Sequence, residues 1–135
     1  MAVSKNIGDL QGMSILLVDD EEDSLEIAST ILERAGARVH AFADTFAAFA
    51  ALEALDPDLI VSDIGMPLED GYSFMMRVRS SAWAKGNSVP SLAVTAFTSD
   101  SDRKRAFAAG FVAHLGKPVS AQSLVEAVRA LSAPV

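Results

Sequence analysis

The sequence predicts an α/β fold, a doubly wound five-stranded parallel sheet with helices on both faces. Two short apolar runs, Ile15-Leu16-Leu17-Val18 and Leu59-Ile60-Val61, show no alternation, as expected of central parallel strands covered on both sides. Strand-like and helix-like stretches then alternate five times, the pattern of consecutive crossover units. Polar residues stand at the carboxyl ends of four of the runs: Asp19 and Asp20, Asp63, Thr95 and Lys117. In doubly wound sheets that edge is where sites form.

Met1 to Met13 mixes small and polar residues and reads as a poorly ordered lead-in or linker, residues 1–13 of the expected division. The packed domain is expected over 14–132 and a short tail over 133–135. Ser14 to Val18 is the first strand. Glu21, Glu22 and Asp23 suit the first turn of a helix, where the dipole favours acids. Ile27, Ala28, Ile31, Leu32 and Ala35 recur at helical spacing, and Gly36 stops the helix.

Ala37 to Phe42 reads as a second strand. Asp44 or Thr45 caps a helix through Leu55 whose packed face is Ala48, Phe49 and Leu52. Asp56-Pro57-Asp58 breaks the chain before the central run, which Gly65 and Pro67 end just after Asp63. A helix is predicted from Tyr72 to Ser80, with Phe74, Met75 and Val78 inward, then a loop to Pro90 holding the single tryptophan, Trp83. Ser91 to Thr95 is the fourth strand, and Ser99 or Asp100 caps a helix to Ala109. Phe111 to Leu115 is the expected fifth strand, and Ser120 caps a last helix with Leu124, Val128 and Leu131 inward.

Composition narrows the function classes. A chain of 135 residues, 50% apolar, builds one domain with a sizeable core. A formal charge of -7 disfavours direct contact with nucleic acid or an anionic membrane surface. The absence of cysteine excludes disulfides, zinc-thiolate sites and thiol nucleophiles, and is compatible with a cytoplasmic location. No apolar run approaches the roughly 18 residues of a membrane span.

The chemistry at the sheet edge is that of three acids in one cleft. Two carboxylates about 4 Å apart repel by roughly 4 kcal/mol at an effective dielectric near 20. Three must bind protons or recruit a cation, and hard oxygen donors without His or Cys suit Mg²⁺. A phosphoryl group could then meet Lys117 as a point charge and the Thr95 hydroxyl as a donor. One carboxylate could serve as nucleophile by forming an aspartyl phosphate.

Val18-Asp19-Asp20-Glu21, Ser62-Asp63-Ile64-Gly65-Met66-Pro67, Thr95-Ala96 and Gly116-Lys117-Pro118 together resemble the receiver domain of two-component response regulators. The resemblance runs from about Ser14 to Leu131. It implies a flavodoxin-like sheet of order 2-1-3-4-5, with Asp63 as phosphoacceptor and a histidine kinase or histidine phosphotransfer protein as phosphodonor. It further implies Mg²⁺ on Asp20, Asp63 and the Gly65 main-chain carbonyl, with Asp19 acting through water. Thr95, Ala96 and Lys117 would bind the phosphoryl group, and the Lys117-Pro118 bond would be cis. Such a domain signals rather than acting as a separate enzyme, and a monomer is expected.

Two departures from the common family pattern carry expectations. The switch partner of Thr95 on the fifth strand is usually aromatic and here is His114, whose charge makes a pH-sensitive switch conceivable. Gly65 and Phe97 stand where the family tunes access of attacking water, and neither offers a polar side chain, so a long-lived phosphoryl group is expected. Leu10-Gln11-Gly12 and His114 to Val119 further resemble receivers joined to the C-terminus of hybrid sensor kinases.

Each feature alone has a plainer explanation. Asp19 with Glu21 to Asp23 could be a helix cap, Asp63 a turn residue, Lys117 a solvated loop residue and Thr95 a strand end. Their conjunction at one edge is what favours a site. A flavodoxin-like cofactor carrier would need a hydroxyl- and glycine-rich first loop, and the loop here is acidic. An aspartate-nucleophile phosphatase would space its first two acids by one residue, and here they are adjacent. A docking pseudo-receiver usually lacks part of the acid and lysine set, which is complete here.

Overall fold

The computed structural model describes residues 9–132; the expected tail and the first eight residues of the expected lead-in lie outside them. Strands β1 (Ser14–Val18), β2 (Arg38–Phe42), β3 (Leu59–Ser62), β4 (Ser91–Thr95) and β5 (Ala113–Gly116) form one sheet. Its order is β2-β1-β3-β4-β5, and every neighbouring pair is parallel. Between and after the strands come α1 (Glu22–Arg34), α2 (Thr45–Leu55), α3 (Gly71–Arg79), α4 (Asp100–Ala109) and α5 (Ala121–Ser132).

Successive side chains of a strand point to opposite faces, so the unbroken apolar runs feed two cores. Leu16, Val18 and Ile60 join Leu52, Phe74, Met75 and Val78 on the face covered by α2, α3 and α4. Ile15, Leu17, Leu59 and Val61 join Leu32, Leu124 and Val128 on the face covered by α1 and α5. Ile60 has no exposed surface; its truncation to Ala would cost about 2–5 kcal/mol through lost burial and a cavity.

Helix starts follow local capping chemistry. Asp44 accepts from the Ala47 amide at 2.8 Å, and Asp70 from Ser73 at 2.9 Å. Ser99 and Asp102 form a reciprocal capping box, and Ser120 accepts from the Ser123 amide at 3.0 Å.

Boundaries differ from expectation where backbone bonds close a helix first. The Ala37 amide donates to Leu32 at the end of α1, so β2 starts at Arg38. The Phe111 amide donates to Ala106, which leaves Phe111 as a core plug and starts β5 at Ala113. α3 begins at Gly71, one residue early, on its Asp70 cap.

Leu10, read in the sequence as part of a poorly ordered lead-in, is instead 2% exposed. Its amide donates to Ala35 at 2.9 Å, and the segment closes over the end of α1.

Candidate functional site

Register places the acids. Val18 pairs with Ser62, so Asp19 and Asp63, each the next residue, emerge side by side at the carboxyl edge. The Asp63 amide donates to the Val18 carbonyl at 2.9 Å, which fixes the two strand tips against each other. Asp20 is exposed, whereas Asp19 and Asp63 are 6% and 9% exposed. Among the described residues these three acids each offer an oxygen within 4.8 Å of the others. Such a donor set fits a hard divalent cation.

Lys117 reaches the cluster from the opposite side. Thr95 pairs with Gly116, and the Lys117 amide donates to the Thr95 carbonyl at 2.9 Å, which aims the side chain back over β3. Its ammonium donates to Asp19 at 2.8 Å and to Asp63 at 3.2 Å. The Lys117-Pro118 peptide is cis.

The remaining hydrogen bonds divide the two buried carboxylates. Asp19 accepts from the Glu21 amide at 2.9 Å and Asp63 from the Ile64 amide at 2.6 Å. Burial pushes the Asp19 carboxyl above its ordinary value, against the opposing pull of the Lys117 hydrogen bond, and the Asp63 charge adds to the rise. Burial pulls Lys117 down, but the Asp19 hydrogen bond and the charges of Asp63 and Asp19 outweigh it, so its ammonium is held above the usual range.

Thr95 and His114 are engaged elsewhere. Both bond the backbone of Phe97: Thr95 Oγ1 accepts from its amide at 3.2 Å, and His114 Nε2 lies 2.8 Å from its carbonyl oxygen. Ala96 between them is exposed. The Phe97 ring lies over Gly65 so closely that a Cβ there would come within 2.8 Å of Phe97 Cζ.

Two features have no counterpart in the sequence reading. A cavity of about 130 Å³ opens beside Asp19 and Asp63, lined by Ile27, Ala28, Pro118 and Leu124 among others. Glu69, in the loop after β3, accepts from Thr45 Oγ1 at 2.6 Å and from two nitrogens of Arg77 at 2.6 and 2.7 Å. No periodic pattern signals a bond across 24 residues, so only the fold reveals it.

The profile of the response regulator receiver domain matches residues 15–129. The chain belongs to that family. It is 38% identical over 120 residues to the uncharacterized 14.6 kDa protein in the sodA1 3' region of Leptolyngbya boryana, covering 89% of this chain and 90% of that one. It is 35% identical over 134 residues to hybrid signal transduction histidine kinase D of Dictyostelium discoideum, covering 95% of this chain but only 8% of that protein. Among solved structures, the chemotaxis response regulator CheY4 of Vibrio cholerae superposes with a TM-score of 0.81 at 29% identity, over 88% of this receiver and 98% of that chain. The receiver thus has the flavodoxin-like fold its residues predict, in the family of two-component signalling domains.

Proposed function

We propose that this receiver takes a phosphoryl group from a phosphohistidine onto Asp63 and relays the change to a partner or attached module. The observation that carries the reading is the Lys117 ammonium, poised between Asp19 and Asp63 on a buried acidic floor. An Asp63 carboxylate oxygen attacks phosphorus, the phosphorus–nitrogen bond breaks, and the imidazole leaves with its electron pair and takes a proton. Lys117 meets one oxygen of the transferring group as a point charge, and Thr95 with Ala96 binds others. Mg²⁺, held by Asp20, Asp63 and the Gly65 carbonyl with Asp19 through water, would neutralise charge on the incoming group.

The donor on this reading is a sensor histidine kinase or a histidine phosphotransfer protein in the cytoplasm, with no nucleic acid or membrane bound directly. Among the described residues no helix is long and apolar enough to cross a membrane. Likeness to a hybrid kinase favours a receiver joined to one, and a monomer is the expected working form. The phosphorylated aspartate adds about -1.5 to -2 charge, drawing in Lys117 and Thr95. Thr95 would then release the Phe97 amide, and His114 would shift with the same loop, biasing a pre-existing equilibrium at the face of α4, β5 and α5. The solvent exposure of His114 should therefore differ between the free and phosphoryl-analogue forms, and identical placement in both removes this switch.

Gly65 brings no polar group to orient a water, and the Phe97 ring covers it, which supports a phosphoryl group lasting well beyond seconds. A half-life of seconds in the purified protein overturns that expectation. The deciding experiment is beryllofluoride binding with Mg²⁺, followed by fluorine NMR. The wild type should bind and Asp63→Asn should not. A wild type that binds nothing is a docking module, not a phosphoacceptor.

A further inference from the structure

The loop from Asp63 to Asp70 must hold the Gly65 carbonyl in place, yet one of its residues sits in an unfavourable conformation. Leu68 has φ +69°, a left-handed backbone that branched apolar residues rarely adopt. Its side chain is 93% exposed, so packing of that side chain cannot keep it there. Such a conformation persists only where the surroundings impose it.

Its neighbours supply that constraint. Pro67 has a ring-fixed φ, and the Glu69 amide donates to the Pro67 carbonyl at 2.7 Å, closing a tight turn around Leu68. Glu69 is the anchor: its side chain, 10% exposed, takes the paired Arg77 bonds and the Thr45 hydroxyl. The Arg77 guanidinium is in turn stacked 4.2 Å from the centre of the Phe49 ring. Arg77 holds the Glu69 carboxyl below its ordinary value, so the anchor is charged at neutral pH.

The anchor spans a gap that matters. A cavity of about 200 Å³ is lined by Asp20, Asp44 and Thr45 on one side and by Met66, Pro67 and Glu69 on the other. Thr45 opens α2 directly after β2, whose Phe42 carbonyl accepts from the Asp19 amide at 3.1 Å. One wall therefore continues the loop that carries Asp20, and the other the loop that carries Gly65, both lying beyond the paired strand tips.

We infer that Glu69 and Arg77 are positioning residues that fix the spacing between Asp20 and the Asp63–Gly65 loop and so set the affinity for Mg²⁺. The inference rests on the proposed phosphoacceptor reading. Groups that orient metal ligands from behind contribute about 10- to 100-fold in metal affinity, and an anchor acting through four residues belongs at the low end.

Calorimetric Mg²⁺ titration tests this on the whole chain. Glu69→Gln, which keeps the volume and loses the charge, should bind about tenfold more weakly than wild type. Arg77→Lys should move in the same direction, and carries the test if Glu69→Gln does not fold. Adding Leu68→Asn to Glu69→Gln should recover most of the loss, because Asn tolerates the left-handed backbone and the exposed Leu packs against little. A purely structural role for Glu69 predicts a lower denaturation midpoint in Glu69→Gln with the Mg²⁺ affinity of the folded protein unchanged. Affinity within about twofold of wild type in Glu69→Gln and Arg77→Lys, or no recovery by Leu68→Asn, overturns the inference while leaving the phosphoacceptor reading intact. A wild type that binds no Mg²⁺ overturns both.

Discussion

At each end of the sheet one lysine is set between two aspartates, and the two sets behave in opposite ways. At the amino edge, Asp56 and Asp58 lie 3.3 and 3.9 Å from Lys85, with side chains 57% and 49% exposed. Asp56 also accepts from Trp83 Nε1 at 2.9 Å, and Asp58 from the Ser14 amide at 2.8 Å. At the carboxyl edge, Asp19 and Asp63 surround Lys117 with side chains 8% and 10% exposed. The Trp83 bond and Lys85 lower Asp56, whereas burial raises Asp19. Identical residue types thus make a solvated staple at one edge and a buried cluster, with donors suited to a cation, at the other. Desolvation and the third acid, Asp20, are what differ.

The comparison is tested most severely by phosphoryl acceptance. Asp63→Asn should abolish beryllofluoride binding, while Asp56→Asn should leave it within about twofold of wild type, since exposed surface changes far from a site act weakly. An equal loss in both variants would mean that the two edges are not separate in function.

Stability separates the lysines next. Removing one partner of a fully buried pair costs about 3–5 kcal/mol. Lys117 is 22% exposed, so Lys117→Gln should cost less, about 2 kcal/mol. Lys85→Gln should cost under about 0.5 kcal/mol, the worth of an exposed pair. Denaturant midpoints without Mg²⁺ measure both. Mg²⁺ should then stabilise Lys117→Gln more than wild type, because a second cation takes over the neutralising role; equal stabilisation would break the argument that the carboxyl edge is short of positive charge.

This contrast also explains what the sequence could and could not reveal. Asp19 and Asp63 were legible because each follows an apolar run too uniform to be half-exposed, which fixes both the strand end and its edge. Thr95 was legible by the same logic, whereas Lys117 follows a strand that is only partly buried and was legible from its place at a strand end in Gly116-Lys117-Pro118. The Asp56–Trp83 staple was not, because an exposed aspartate beside a proline looks like any turn. Leu10 was hidden among polar neighbours, and only its bond to Ala35 shows that the chain before β1 is packed. Phe111 misled in the other direction: its apolar character suits a strand, but its amide is already spent closing α4.

The smallest effect is the pH dependence, and its sign is opposite at the two edges. Asp19 has a raised folded value, so the folded state holds a proton more readily than the unfolded chain. Stability from this group is present below the ordinary 3.8 and is lost as pH rises through the raised value, leaving an ionised, destabilising Asp19 at neutral pH. Asp19→Asn imitates the protonated form and should raise the thermal midpoint at pH 7 without Mg²⁺ by roughly 3 °C. That gain should shrink as pH falls toward 4 and reverse on adding Mg²⁺, which needs the carboxylate. Asp56 has a lowered folded value, so its contribution is present above 3.8 and lost as pH falls through the lowered value. Asp56→Asn should therefore lower the midpoint at pH 7 by about a degree or less, and the drop should vanish in acid. An Asp19→Asn chain less stable than wild type at pH 7 without Mg²⁺ would show that the Lys117 bonds outweigh desolvation, and the carboxyl edge would then be a staple like its counterpart.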